Sequence, residues 1–262
     1  MKKKLALILA GTAMAAMVLA GCGEKNNASG EDVKTAESVE DKKTFTVGFD
    51  AEYPPYGYMD ENGEYTGFDL ELAEAVCKLE GWELVKKPLN WDSKDMELNS
   101  GSIDCIWNGF TMNGREEDYT FSTPYVDNSQ VIVVAEKSGI DTLEDLAGKT
   151  VGVQAASAAL DLLQSEEEGG QKKLADTFGA LNEFADYNTA FTELQAGALD
   201  ALAIDVGVAN YQIKSRGEGY KILDETLNTE QYAIGFKKGN QELCDVVNAD
   251  LKKLTEDGTV AK

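Results

Sequence analysis

Arg115, Asp205 and the pair Ser157 and Ala158 are residues of this chain whose types and places could do chemistry. Arg115 stands just after a predicted strand end. A guanidinium fork there can hold both oxygens of a carboxylate. A surface pairing with Glu116 or Glu117 is the alternative. Asp205 ends a predicted strand, where a carboxylate can accept from an ammonium group or cap the helix that begins at Val206. Ser157 and Ala158 sit at a predicted helix start, whose free backbone N–H groups favour an anion. Ser157 also suits a plain N-cap, and the two roles are compatible.

Composition removes several chemistries. The chain has no His, so a Ser-His-Asp or Cys-His nucleophile is impossible. A zinc site would need thiolates and carboxylates alone, and no Cys-x-x-Cys seeds one. No metal and no cofactor are expected. The net charge is −23, from 24 Lys+Arg against 47 Asp+Glu, which argues against nucleic acid as a partner. Hydrophobic residues make up 43% and charged residues 27%, as in a soluble globular protein long enough for one or two domains. No Gly-x-x-x-x-Gly-Lys-Ser/Thr occurs, so ATP hydrolysis by that route is not expected.

The elements that must position these residues alternate. Residues 44–49 read as a strand, followed by a Pro/Gly/Tyr loop. Residues 68–79 read as a helix with Leu70, Leu72, Ala73, Val76 and Leu79 on one stripe, ended by Gly81. A strand over 83–88, a helix over 92–100 and a strand over 103–107 complete a β-α-β-α-β block, which predicts a mainly parallel sheet. A second block follows. Its strands are expected at 131–135, 150–153, 183–185 and 201–204, with helical pieces at 143–147, 157–163, 189–195 and 206–213. Residues 165–173 read as a polar turn. A late strand over 232–236 and a helix over 242–254 close the chain. Two such blocks suggest two α/β lobes, with ligands beyond the carboxyl ends of the strands.

The N-terminus reads as an address. Residues 1–4 are basic, 5–20 are almost wholly apolar, and Leu19-Ala20-Gly21-Cys22 follows. This is a secretory signal too short for a spanning helix. The Leu-Ala-Gly-Cys sequence resembles a bacterial lipobox, which implies cleavage after residue 21 and lipidation of Cys22. Residues 22–43 read as a flexible membrane tether. Cys77, Cys105 and Cys244 remain; a Cys77–Cys105 bridge and buried free thiols are both open.

An ordered series of motifs carries a resemblance. It runs Gly48-Phe49-Asp50-Ala51-Glu52-Tyr53-Pro54-Pro55-Tyr56, then Gly67-Phe68-Asp69-Leu70 and Ser100-Gly101-Ser102-Ile103-Asp104. Asn108-Gly109-Phe110-Thr111-Met112-Asn113-Gly114-Arg115 and Phe121-Ser122-Thr123-Pro124-Tyr125 follow, then residues 146–154 and 200–205. In that order they resemble the polar amino acid-binding proteins of bacterial ABC importers, solute-binding protein family 3, over about 44–262.

The resemblance implies a type II periplasmic-binding-protein-like α/β fold, with two lobes joined by a two-strand hinge and the cleft between them. Lobe 1 would comprise 44–128 and 233–262, and lobe 2 residues 129–232, with crossings near 127–129 and 231–233. It implies that Arg115 and the Ser157–Ala158 backbone take a ligand carboxylate, and that Asp205 takes its ammonium. Gly109 and Thr111 would hold the ligand backbone from the first lobe. Asp50, Tyr53 and Trp91 would enclose the side chain. A carboxylate there favours Lys, Arg, ornithine or Gln and repels Asp or Glu. Relatives often carry Gly where this chain has Ala155-Ala156. They also continue with a short helix past Lys262, so either the sequence is cut short or lobe 1 lacks that piece.

The implied function is a lipid-anchored, monomeric, extracytoplasmic receptor that delivers an amino acid to a membrane permease. A sensory lipoprotein is the alternative. A cleft enzyme on the same fold, a dehydratase or transglycosylase using Asp50 or Glu52, is a further one.

Overall fold

Alternation builds the first strand. In β1 (Thr44–Phe49), Phe45, Val47 and Phe49 are fully buried. Beyond it lies a three-stranded antiparallel ribbon of β2 (Glu52–Tyr53), β3 (Gly57–Met59) and β4 (Tyr65–Thr66). The ribbon occupies the stretch expected to be loop. Helix α1 (Phe68–Glu80) buries Leu70, Leu72, Ala73, Val76 and Cys77, and Gly81 in a left-handed conformation closes it. Then come β5 (Glu83–Pro88), α2 (Lys94–Ser100), β6 (Cys105–Ile106) and β7 (Tyr119–Phe121). The structure is a computed structural model and describes residues 39–217 and 219–260. The expected signal peptide and Cys22 lie outside the described residues.

The second half adds β8 (Val126–Ala135), β9 (Thr150–Gln154), α3 (Ala158–Gln164), α4 (Lys172–Ala175), β10 (Ala180–Phe184) and α5 (Tyr187–Ala196). It continues with β11 (Ala201–Asp205), α6 (Val206–Arg216), β12 (Tyr220–Ile222), β13 (Asn228–Tyr232), β14 (Gly235–Lys237) and α7 (Gln241–Glu256). One sheet runs β5-β1-β6-β14-β7, and the other runs β10-β9-β11-β8-β12 with β13 also on β8. β1 is parallel to β5 and β6, and β9 is parallel to β10 and β11. These are two α/β lobes of the type II arrangement.

The chain passes between the sheets along β8 and back along β13. The two strands pair antiparallel, with Asp127 opposite Gln231 and Val126 opposite Tyr232. β8 begins five residues before the expected strand, because Asp127 to Gln130 carry polar side chains that give no apolar signal and leave Val126 isolated. The expected strand over 232–236 is two strands on different sheets. The chain changes sheet between them, where the Ala233 N–H donates to the Phe110 carbonyl at 2.9 Å. The expected helix over 92–100 opens as a 3-10 turn, Trp91–Ser93, before α2. The end of the polar turn at 165–173 runs into α4.

The core of the first lobe joins β1, α1 and α7, whose Leu243, Cys244, Val247, Leu251 and Leu254 are buried on one face. Cys77, Cys105 and Cys244 are buried free thiols, so the Cys77–Cys105 bridge is not formed. Within the expected tether, Val39 packs on this core and Lys42 pairs with Asp104 at 2.6 Å.

Candidate functional site

The carboxyl ends of the two sheets face each other. At the end of β1, the buried Asp50 carboxylate accepts from the Glu52 N–H at 2.8 Å and from Gln154 Nε2 at 2.7 Å. Gln154 ends β9, so this bond crosses between the lobes. Burial pushes the Asp50 carboxyl up to about 6 against the pull of those two donors.

After β6 the chain turns through Gly109, Phe110 and Thr111. Gly109 has φ 56°, and a Cβ there would meet the rings of Tyr232 and Tyr53 at 3.0 and 3.1 Å. Only glycine suits both the conformation and the space. Its N–H donates to buried Asp69 at 2.5 Å, and Tyr125 Oη donates to the same carboxylate oxygen at 2.8 Å. The turn ends at Arg115, whose N–H donates to the Met112 carbonyl at 3.0 Å. The guanidinium lies 5.1 Å over the Phe110 ring. Its ion-pair partner is neither Glu116 nor Glu117 but Asp161 of α3, at 2.6 Å across the cleft.

The second lobe brings the loop from Gln154 to Ala158. Ser157 is the N-cap of α3, its hydroxyl accepting from the Leu160 N–H at 3.2 Å. Ala156 holds φ 54°, the left-handed conformation that a glycine would adopt freely. Its carbonyl accepts from the buried Lys94 ammonium at 3.2 Å, another bond between lobes. Burial draws the Lys94 pKa down.

Asp205 closes β11 and precedes α6, yet its side chain makes no cap bond. One of its oxygens instead accepts from Asn128 at 2.8 Å, Gln130 at 2.7 Å and Tyr232 Oη at 2.6 Å. Of the two roles open to Asp205 in the sequence, the capping one is absent.

Tyr53, Trp91, Gly109, Thr111, Arg115, Ser157, Ala158 and Asp205 line one small, closed-down cavity, together with Gln154. Trp91 serves twice, because its ring also packs edge-on against Phe110 at 5.7 Å. Asp50 lies apart from this lining. It borders an open cleft that shares Trp91 with the cavity, with Glu52, Glu97 and Asp186 as further carboxylates and no Lys or Arg among the lining residues. Glu52 is exposed and accepts from Asn188 of α5.

Sequence reasoning missed Gln154, Asp69, Asp161, Lys94 and Glu230 as site or supporting residues. Gln154 and Asp69 stand inside the motifs and could have been found there. Glu230 is one acid among 47 Asp+Glu, and its place beside Asp205 depends on strand pairing.

The chain's similarities agree with this geometry. The model of the bacterial extracellular solute-binding proteins, family 3, matches residues 45–262. The arginine-binding extracellular protein ArtP of Bacillus subtilis is 33% identical, over 100% of this chain and 96% of its own length. The L-cystine-binding protein TcyJ of Escherichia coli is 30% identical, over 94% of this chain and 90% of its own. A histidine-bound substrate-binding protein of an ABC uptake transporter from Streptococcus pneumoniae superposes with a TM-score of 0.78 at 34% identity, covering 84% of this chain and 90% of that one. A chain with these two lobes, this cleft and this match along its length belongs to the bacterial extracellular solute-binding proteins of family 3.

Proposed function

We propose that the chain is an extracytoplasmic receptor that closes its lobes around one free L-amino acid and delivers it to the permease of an ABC importer. The observation that carries this reading is that Arg115 and Asp205, from opposite lobes, line one small cavity. A zwitterion needs a cation for its carboxylate and an anion for its ammonium. Arg115 offers a bidentate fork, and Asp205 offers a buried carboxylate, one oxygen of which is engaged by Asn128, Gln130 and Tyr232, with the Tyr53 hydroxyl also interacting with it. The ligand bridges the lobes and favours the closed form through contacts made only there.

The side chain is polar or cationic. Asp50, Glu52 and Asp186 around the adjoining cleft favour an ammonium or guanidinium tail, whereas Glu97 is already paired with Lys87 at 2.7 Å. The same cleft has no lining cation for a second carboxylate, which disfavours cystine and glutamate. The similar proteins are named for arginine, cystine and histidine, which supports the amino-acid class. Lobe 1 comprises 44–128 and 233–262, and lobe 2 residues 129–232. Cys22 carries the lipid anchor, and the receptor acts as a monomer. Binding rather than catalysis is favoured because the buried Asp50 carboxylate is tied to Gln154 and backbone.

A melting-temperature screen against the amino acids, ornithine and cystine tests the reading. A ligand at 100 times its dissociation constant adds about 2.7 kcal/mol, a shift of several degrees. A shift with Arg, Lys, ornithine or Gln supports it; no shift with any amino acid overturns it.

A further inference from the structure

Behind Asp205 lies a second carboxylate that the proposed function does not use. Three neighbouring strands set it there. Asp205 on β11 is directly opposite Gln130 on β8, and Asn128 on β8 is directly opposite Glu230 on β13. Gln130 and Asn128, two residues apart, share one face of their strand. Each amide nitrogen therefore reaches both acids. Gln130 Nε2 lies 2.7 Å from Asp205 Oδ1 and 2.7 Å from Glu230 Oε1. Asn128 Nδ2 lies 2.8 Å from each of the same two oxygens. The amide hydrogens are thereby engaged, while the buried Asn128 and Gln130 amide oxygens have no partner.

Thr111 joins the cluster from the first lobe. It forms an isolated bridge with Tyr232, next but one to Glu230. Its hydroxyl donates to Glu230 Oε1 at 2.7 Å. A threonine hydroxyl has one proton. With that proton given to Glu230, Oγ1 can only accept from anything else, and Thr111 also lines the ligand cavity. Neither Asp205 nor Glu230 forms an ion pair with Lys or Arg among the described residues.

We propose that Glu230 is a positioning residue of the ammonium subsite. It orients Thr111 as an acceptor and adds a second negative charge behind Asp205, so that the site selects a charged ammonium. This rests on the amino-acid reading above. The group is buried, and burial first, then the Asp205 charge, raises its carboxyl against the pull of Thr111, Asn128 and Gln130. Asp205 from β11, Tyr232 from its own strand and the buried Tyr187 of α5 are its titratable neighbours, the two phenols staying neutral because burial raises them; Thr111, Asn128 and Gln130 are neutral. An ammonium arriving beside Asp205 supplies the missing positive charge and favours the ionised Glu230. Binding is then linked to release of a proton, and affinity falls on acidification.

The test compares wild type with Glu230→Gln by calorimetric titration of the best-bound amino acid from pH 5 to 8. Comparison with the same ligand cancels the titration of Asp50 and Asp69. The variant is expected to bind about tenfold more weakly at pH 8, with the two curves converging at pH 5. Thr111→Val is expected to weaken binding, and to add less than its own effect when combined with Glu230→Gln. Equal affinities throughout, or two parallel curves displaced by a constant factor, overturn the proposal. If wild type binds no amino acid at any pH, the amino-acid reading itself falls and this one with it.

Discussion

Gly207, in the first turn of α6, and Tyr56, in the ribbon of the other lobe, meet so closely that a Cβ on Gly207 would lie 2.3 Å from the Tyr56 hydroxyl oxygen. Tyr56 is buried and packs edge-on against Tyr232 at 5.2 Å, so it has little room to give way. Gly207→Ala is expected to hold the lobes apart. Ligand affinity should drop by about 1–3 kcal/mol, the usual cost of overpacking, with little change in the melting temperature of the ligand-free protein. Tyr56→Phe in the same chain should restore part of the affinity, because the nearest remaining ring atom lies 3.0 Å away. Undiminished binding in Gly207→Ala would show that closure does not need this approach.

The proposed function makes Asp50 the residue that selects the ligand side chain. Asp50→Asn is expected to weaken Arg, Lys or ornithine by about tenfold or more, as for loss of a charge-assisted contact. Glutamine should be affected less. With its carboxyl raised to about 6 by burial, the wild-type preference for basic over neutral ligands should diminish below that pH. Competition titrations at pH 5 and pH 8 read both effects.

Asp69 makes the fold more stable in mild acid. Burial pushes its carboxyl up to about 7, against opposing bonds from Gly109 and Tyr125; the unfolded value is about 3.9. Between those values the folded state holds the proton more tightly than the unfolded state. The stabilisation is therefore full below about pH 4 and is lost as pH rises through about 7. Asp50 acts in the same direction, while Asp145, held low by the N–H groups of Asp141 and Thr142, acts in the opposite one. The difference between wild type and Asp69→Asn isolates the effect. Urea unfolding from pH 5 to 7.5 should show wild type losing stability relative to the variant, by at most a few kcal/mol.

Ala156 carries a Cβ where the loop needs φ 54°. Ala156→Gly should leave the melting temperature unchanged or raise it slightly. Ala156→Val should lower stability by about 1–2 kcal/mol, because a branched side chain suits that conformation worst. A thermal melt of the two variants decides it.

The legible parts of this fold are those whose signal is local. The α1 face of Leu70, Leu72, Ala73 and Val76 and the stop at Gly81 can be read from period and turn chemistry alone, but Leu79, expected on the same stripe, is exposed, and Cys77 is buried instead. Ser157 and Asp205 could be read as element ends and Arg115 as the close of the motif that begins at Asn108, and the structure brings all three to the lining of one cavity. The polar start of β8 was not, because Asn128 and Gln130 owe their burial to carboxylates 75 to 102 residues away in sequence. Arg115's pairing with Asp161, Lys94's bond to the Ala156 carbonyl and Asp50's bond to Gln154 arise only when the lobes face each other. The split of the late strand reflects a change of sheet at Ala233, which an apolar run from Tyr232 to Phe236 conceals.

The central claim is that Arg115 and Asp205 hold the two charged ends of one amino acid. Calorimetric titration of arginine, lysine and ornithine into wild type, Arg115→Ala and Asp205→Asn at pH 7.5 tests it most directly. The account predicts one site per chain for at least one of these ligands in wild type, and a loss of at least about tenfold in each variant. Binding that persists undiminished in both variants, or no binding of any of the three to wild type, would contradict it.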